Sequence, residues 1–172
     1  TGQIYFAKNH NRRAAPASLT KIMTAVIAVE NSSLDDVVTV DSRSASVSMG
    51  SIIDLRKGEK ITLGELLTAA LVASANDSTV AIACHVGGSH ARFITMMNAK
   101  AAALGLSNTR FANTNGYHDP NHYTTAYDLA RLSRYALGHP KINELVQTRE
   151  ATVHWLEPPD REEKIKNSNR LL

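Results

Sequence analysis

Apolar residues recur along the chain with two periods, and these divide it into elements. Gly2-Gln3-Ile4-Tyr5-Phe6-Ala7-Lys8 predicts a strand led by a turn at Thr1-Gly2, and 9–15 is a polar, basic loop. Ile22-Met23-Thr24-Ala25-Val26-Ile27-Ala28-Val29 is apolar nearly all round, which predicts a buried helix. Ala17-Ser18-Leu19-Thr20-Lys21 opens it, Pro16 is its start signal, and it ends near Asn31-Ser32-Ser33. Short strands are predicted over 37–40 and 52–55, the second closed by a turn at Lys57-Gly58, with a Ser- and Gly-rich loop over 42–51 between them.

Thr62-Leu63-Gly64-Glu65 has the form of a capping box, starting a helix to about Ala73 with Leu66, Leu67, Ala70 and Leu71 on one face. Ser74-Ala75-Asn76-Asp77 favours a turn, after which Asp77 or Ser78 caps a helix over 79–86, stopped at Gly87-Gly88. Ser89 or His90 opens a further helix to Leu104, with Gly105 just past its end and a core-facing stripe of Phe93, Met96, Met97 and Ala101. A polar loop over 107–123 turns at Asn115-Gly116. Thr125-Ala126-Tyr127-Asp128 starts a helix to Leu137 that stops at Gly138. A short helix over 140–147 and a strand over 151–156 follow, and the charged stretch 157–166, with Pro158-Pro159, is turn material. No repeat or linker divides the chain, so its 172 residues predict one domain.

The 43% hydrophobic and 20% charged composition excludes disorder, and a net charge of +3 with no Lys/Arg block gives nucleic-acid binding no support. No apolar stretch approaches the roughly 18–20 residues that span a bilayer. The chain shows neither a signal peptide nor an initiator Met, so a processed or trimmed N-terminus is expected. Cys84, the one cysteine, cannot form an internal disulfide and is expected in the core. His118 and His122 have the i, i+4 spacing of a metal pair, but Gly116 and Pro120 make a solvated loop the expectation. Solvation is the default for Arg12 and Arg13 too, with an anionic polymer as an alternative partner, and Trp155 is expected to be a core or edge anchor.

Two clusters carry chemistry. On a helix, Ser18 and Lys21 are three apart and share a face. A serine at a helix N-terminus sits in a positive field, and a lysine beside it in an apolar wall loses hydration, which lowers its pKa toward that of a general base. A capping serine followed by a surface lysine is the alternative. The second cluster, Ser74-Ala75-Asn76, lies on a turn between two apolar helices, from which a hydroxyl and an amide can point into a cleft. Asp77 beside it fits a cap better than a catalyst.

Ser-x-x-Lys followed by Ser-x-Asn matches two of the three motifs shared by penicillin-binding proteins and β-lactamases. The chain resembles the low-molecular-mass penicillin-binding proteins, the serine-type D-Ala-D-Ala carboxypeptidases, most nearly their Gram-positive, sporulation-associated branch. The resemblance runs through Pro16-Ala17-Ser18-Leu19-Thr20-Lys21-Ile22-Met23-Thr24, Ser48-Met49-Gly50-Ser51 and Ser74-Ala75-Asn76-Asp77. It continues through Asn115-Gly116 and Tyr123-Thr124-Thr125-Ala126-Tyr127-Asp128-Leu129-Ala130 to Asn167-Ser168-Asn169-Arg170-Leu171-Leu172. It implies an α/β (α+β) fold of the DD-peptidase/β-lactamase type, no cofactor and no metal, and a place outside the cytoplasm at the cell wall. It also implies Ser18 as nucleophile, Lys21 as its base, Ser74 as proton relay to the leaving D-Ala amine, and Asn76 as a hold on Lys21 and on the substrate amide. The implied substrate is a peptidoglycan stem peptide ending in D-Ala-D-Ala, with β-lactams as inhibitors. The Ser18 N–H would supply half of an oxyanion hole, worth about 2.7–4 kcal/mol per donor.

One feature departs from the pattern: the chain contains no Lys-Thr-Gly or Lys-Ser-Gly, the third motif. The resemblance then implies the helical portion of the fold with a first strand and most of the antiparallel sheet missing. Apolar helix faces would be left exposed unless a second polypeptide supplies the sheet or the piece keeps a reduced fold by domain swapping. A truncated, non-catalytic penicillin-binding module is the alternative function. A class A β-lactamase is a weaker one, since Glu144-Leu145 does not continue into that family's deacylating loop.

Overall fold

Pro16 and a 3-10 turn at Ala17–Leu19 lead straight into α1 (Thr20–Asn31), whose residues Met23, Thr24, Ala25, Val26, Ile27 and Ala28 are all buried. The computed structural model describes residues 3–167, 169 and 172. The expected turn at Thr1-Gly2, and Ser168, Arg170 and Leu171 of the last matched segment, lie outside them.

Around α1 pack α3 (Leu63–Val72), α4 (Asn76–Gly87), α5 (His90–Ala103) and α6 (Ala126–Ala136), with α7 (Pro140–Val146) against α3. Thr62 and Thr125 cap α3 and α6 as their boxes predict, accepting from the N–H groups of Glu65 and Asp128 at 3.1 Å each, an arrangement worth about 1 kcal/mol per cap. Leu66, Leu67, Ile82, Phe93 and Met97 fill the space between helices. Burying each stabilises the fold by about 1.5–3 kcal/mol.

The strands are β1 (Val37–Thr39), β2 (Lys60–Thr62), β3 (Glu150–Glu157) and β4 (Glu162–Lys166), in one antiparallel sheet in chain order. Val38, Ile61, Val153, Trp155 and Ile165 are buried, and α3 packs against β3 and β2. This corrects the expectation that the helices have no sheet to pack on. β2 escapes the pattern because it has only three residues. β4 reads as a turn because Ile165 is its one buried residue among Glu162, Glu163, Lys164 and Lys166, a charged edge that resists further pairing.

Four other expectations also fail. The strand expected over 2–8 does not form: its described residues find no partner strand, and Tyr5 and Phe6 are each 85% exposed. The loop over 42–51 begins as one helical turn, α2 (Ser42–Ala45), because the Asp41 carboxylate accepts from the Ser44 N–H at 2.8 Å. Residues 52–55 join no ladder, because the Ile53 and Leu55 N–H groups bond to the Asp77 carboxylate instead. Asn76 and Asp77 belong to the first turn of α4 rather than to the turn before it. Among the described residues no helix is long and apolar enough to cross a membrane.

Candidate active site

Ser18 stands exposed on the 3-10 turn, while Lys21, three residues on, is only 3% exposed. The Lys21 Nζ lies 3.2 Å from the Ser18 Oγ and donates to the carbonyl of Asn115 at 2.9 Å. Burial lowers the lysine pKa from 10.5 to about 8, because the charged form loses hydration that one carbonyl and one hydroxyl replace only in part. Among the described residues the Ser18 N–H has no hydrogen-bond acceptor, so a donor stands free beside the Ser18 hydroxyl.

The loop 113–117 holds the Asn115 carbonyl in place. The Thr24 hydroxyl donates to the Thr114 carbonyl at 2.8 Å, the Asn113 side chain accepts from the Gly116 N–H at 2.7 Å, and the Asn115 side chain accepts from the Tyr117 N–H at 3.2 Å. Gly116 has φ +97°, and a β-carbon there would fall 1.9 Å from the Ala17 carbonyl oxygen. Only glycine lets this loop lie flush behind the Ser18 turn.

Ser74 follows α3 in a left-handed conformation, φ +58°. Its side chain faces a cleft of about 490 Å3 shared with Ser18, Lys21, Ile22, Leu71 and Val146, and among the described residues its hydroxyl has no hydrogen-bond partner. Asn76 sits apart from this group. Its backbone N–H bonds to the Ser51 carbonyl at 2.8 Å, and its Nδ2 donates to the Met49 carbonyl at 2.8 Å and approaches the Tyr117 hydroxyl at 3.4 Å. The expected hydrogen bond between Asn76 and Lys21 is not made: the Asn115 carbonyl takes that place. Asn115, Gly116, Tyr117 and Met49 were therefore missed from the sequence. The Asn-Gly turn marked the loop, but no pattern told that it folds back on Lys21.

The neighbouring polar residues are structural. Asp77, buried, accepts from the N–H groups of Ile53, Leu55 and Ser78, and straps 53–55 to the start of α4. Burial still raises its pKa above the carboxylate norm, its backbone partners opposing the shift. His122 is 2% exposed, which corrects the solvated loop expected for it, whereas His118 is exposed. The His122 Nδ1 accepts from the Ala112 N–H at 2.9 Å, so its Nε2 carries the proton and donates to the Thr20 hydroxyl at 2.7 Å. Burial lowers its pKa, keeping it neutral. Trp155 is a core anchor whose Nε1 donates to Glu59, with the Arg161 guanidinium over its ring.

Cys84 is half-buried rather than in the core. Its thiol is pushed up to about 11 by burial and by its hydrogen bond to Asp41, which leaves it unreactive. Arg12 is exposed, and Arg13 lies over the Tyr123 ring and donates to Asn108 at 3.2 Å. Among the described residues no group of three or more His, Cys, Asp or Glu side chains is placed to hold a metal.

A family model described as peptidase S11, D-alanyl-D-alanine carboxypeptidase, matches residues 1–172. The D-alanyl-D-alanine carboxypeptidase DacF of Bacillus subtilis is 38% identical over 177 residues, spanning 100% of this chain and 45% of its own length. DacD of Escherichia coli is 33% identical over 172 residues, 94% of this chain and 44% of its own. The crystal structure of a D-alanyl-D-alanine carboxypeptidase from Mycobacterium tuberculosis matches with a TM-score of 0.91 at 28% identity, over 100% of this chain and 64% of that one. Penicillin binding protein 6B from Escherichia coli matches with a TM-score of 0.87 at 30% identity, over 98% and 54%. The chain thus spans less than half the length of these two curated relatives.

Proposed function

The chain belongs to the D-alanyl-D-alanine carboxypeptidase family, and we propose that it carries the nucleophile, base and proton relay of a serine D-Ala-D-Ala carboxypeptidase acting on peptidoglycan stem peptides. The observation that supports this most directly is the desolvated Lys21 ammonium 3.2 Å from the Ser18 hydroxyl. Unprotonated Lys21 takes the Ser18 proton as the Ser18 Oγ attacks the carbonyl carbon between the two D-Ala residues. The free Ser18 N–H faces the oxygen that gains charge. As the C–N bond breaks, the proton passes from Lys21 through the Ser74 hydroxyl to the leaving D-Ala amine. Water then hydrolyses the acyl-Ser18 ester and releases the shortened peptide. A β-lactam, whose strained amide stands in for the D-Ala-D-Ala bond, acylates Ser18 and stays.

In this reading the 172 residues are part of one catalytic domain. The cation for the substrate carboxylate and the second oxyanion donor, which the Lys-Thr-Gly strand supplies in the family pattern, are not among them. The matched segment is 45% of the length of DacF and 44% of that of DacD, and the comparisons give no support to a second polypeptide. The site of action is the cell wall, outside the cytoplasm. Incubation with penicillin followed by intact-mass measurement tests the proposal. An adduct of one penicillin mass, absent from Ser18→Ala, is expected. An adduct that survives Ser18→Ala overturns Ser18 as the nucleophile, and no adduct in the wild type overturns the proposal and leaves a binding module without chemistry.

A further inference from the structure

We propose that Tyr117 is a positioning residue that fixes the orientation of the Asn76 amide through the Met49 carbonyl, which both side chains grip; this rests on the reading of Asn76 as a substrate-binding group. The Met49 carbonyl can only accept. The Tyr117 hydroxyl donates to it at 2.6 Å and the Asn76 Nδ2 at 2.8 Å, so both of its lone pairs are used. The Asn76 Nδ2 also lies 3.4 Å from the Tyr117 oxygen, whose own proton is committed to Met49. A flipped Asn76 amide would set its oxygen against two oxygens that offer it no proton. The amide nitrogen is therefore held on the Met49 side, and Oδ1 is turned away from it with no hydrogen bond among the described residues.

Gly50 fits the same arrangement. A β-carbon there would lie 2.7 Å from the Asn76 Nδ2, and the residue has φ +74°, so glycine lets the Met49–Gly50 peptide close on the amide. The freed Oδ1 belongs to a residue only 6% exposed, at the start of α4. An acceptor held in one direction is what a substrate peptide N–H requires. Tyr117 itself is fixed by Asn113, whose Nδ2 donates to its carbonyl at 2.8 Å, and by Asn115. The loop that sets the base through the Asn115 carbonyl thus also sets the substrate acceptor through the Tyr117 hydroxyl.

The test is a double-mutant cycle on penicillin acylation of the protein, with Tyr117→Phe, Asn76→Ala and the pair, each checked for folding by circular dichroism. Tyr117→Phe is expected to slow acylation about 5- to 10-fold, the factor for one neutral hydrogen bond, and to have no further effect in the Asn76→Ala background. A purely structural loss would act equally in both backgrounds, and that result, or a wild-type rate for Tyr117→Phe, would overturn the proposal. A second readout is independent of activity: the Asn76 side-chain amide protons, seen by 15N-resolved NMR, are exchange-protected in the wild type and lose that protection in Tyr117→Phe. If the wild type is not acylated at all, the functional reading fails, and unchanged Asn76 amide protons in Tyr117→Phe then overturn the positioning role separately.

Discussion

Lowering the Lys21 pKa to about 8 has a consequence for rate that can be read directly. At pH 7 about one Lys21 in eleven is unprotonated, against about one in three thousand for a lysine at 10.5, so burial raises the unprotonated population about 300-fold. The second-order rate constant for acylation by penicillin, measured between pH 5.5 and 9.5 at fixed ionic strength, should rise about tenfold per pH unit up to 7 and level off above 8. Lys21→Arg, which keeps the charge but cannot give up its proton, should lose acylation by a factor of about 10² or more. A profile flat from pH 6 to 9, or one still climbing at 9.5, would refute the assignment of Lys21 as the base. The same shift appears in stability. Between pH 8 and 10.5 folded Lys21 has lost its proton while the unfolded chain keeps it, so the unfolded state binds more protons and stability rises with pH. The full shift of about 2.5 units corresponds to about 3 kcal/mol. Urea unfolding at pH 7 and pH 10 should show most of that gain in the wild type and none of it in Lys21→Met.

Three further outcomes follow from the surroundings. Gly116→Ala places a β-carbon against the Ala17 carbonyl and demands φ +97° of alanine; urea unfolding should show a loss of about 3 kcal/mol or more, or no folded protein. His122 has a folded pKa below 6.5, so the unfolded chain takes up the proton first and stability falls as pH drops below about 6.5. His122→Gln should flatten that acid slope in melting temperatures measured at pH 7.5 and 5.0. Asp77→Asn replaces an acceptor-only group facing three backbone donors with one that presents an NH2 to them. A loss of about 2–4 kcal/mol is expected in urea unfolding, with faster amide exchange at Ile53 and Leu55.

What the sequence made legible was set by local rules. The helices α1, α3, α5 and α6 announce themselves through Pro16, the Thr62 and Thr125 caps and Gly105, each acting within one turn of its own element. Ser18 and Lys21 belong to the same category, because three residues on a helix fix their proximity. Elements whose stability comes from distant partners were not legible. Glu162, Glu163, Lys164 and Lys166 form a strand because they pair with β3, and Ile4, Tyr5 and Phe6 fail to form one because no strand among the described residues meets them. His122 was misplaced for the same reason: a polar loop composition says nothing of a ring whose two nitrogens find Ala112 and Thr20.

Lys21, Asn76 and Asp77 share one device, and it explains the strain in the backbone. Lys21 is held by the Asn115 carbonyl, Asn76 by the Met49 carbonyl, and Asp77 by the N–H groups of Ile53 and Leu55. In each case a side chain of a helix meets main-chain atoms of a loop, so the site is only as exact as the path of those loops. That path requires left-handed backbone at Gly50 and Gly116, where glycine adopts it freely, and also at Ala17 and Ser74, where it costs about 1–2 kcal/mol each. Ala17 adjoins the proposed nucleophile, and Ser74 is the proposed relay. Glycine at Ala17 would relieve that strain, but it would also free the turn that aims Ser18. Ala17→Gly should therefore leave stability unchanged or raise it while slowing acylation, and a variant that gained stability and acylated at the wild-type rate would show that the strained turn has no part in positioning the serine.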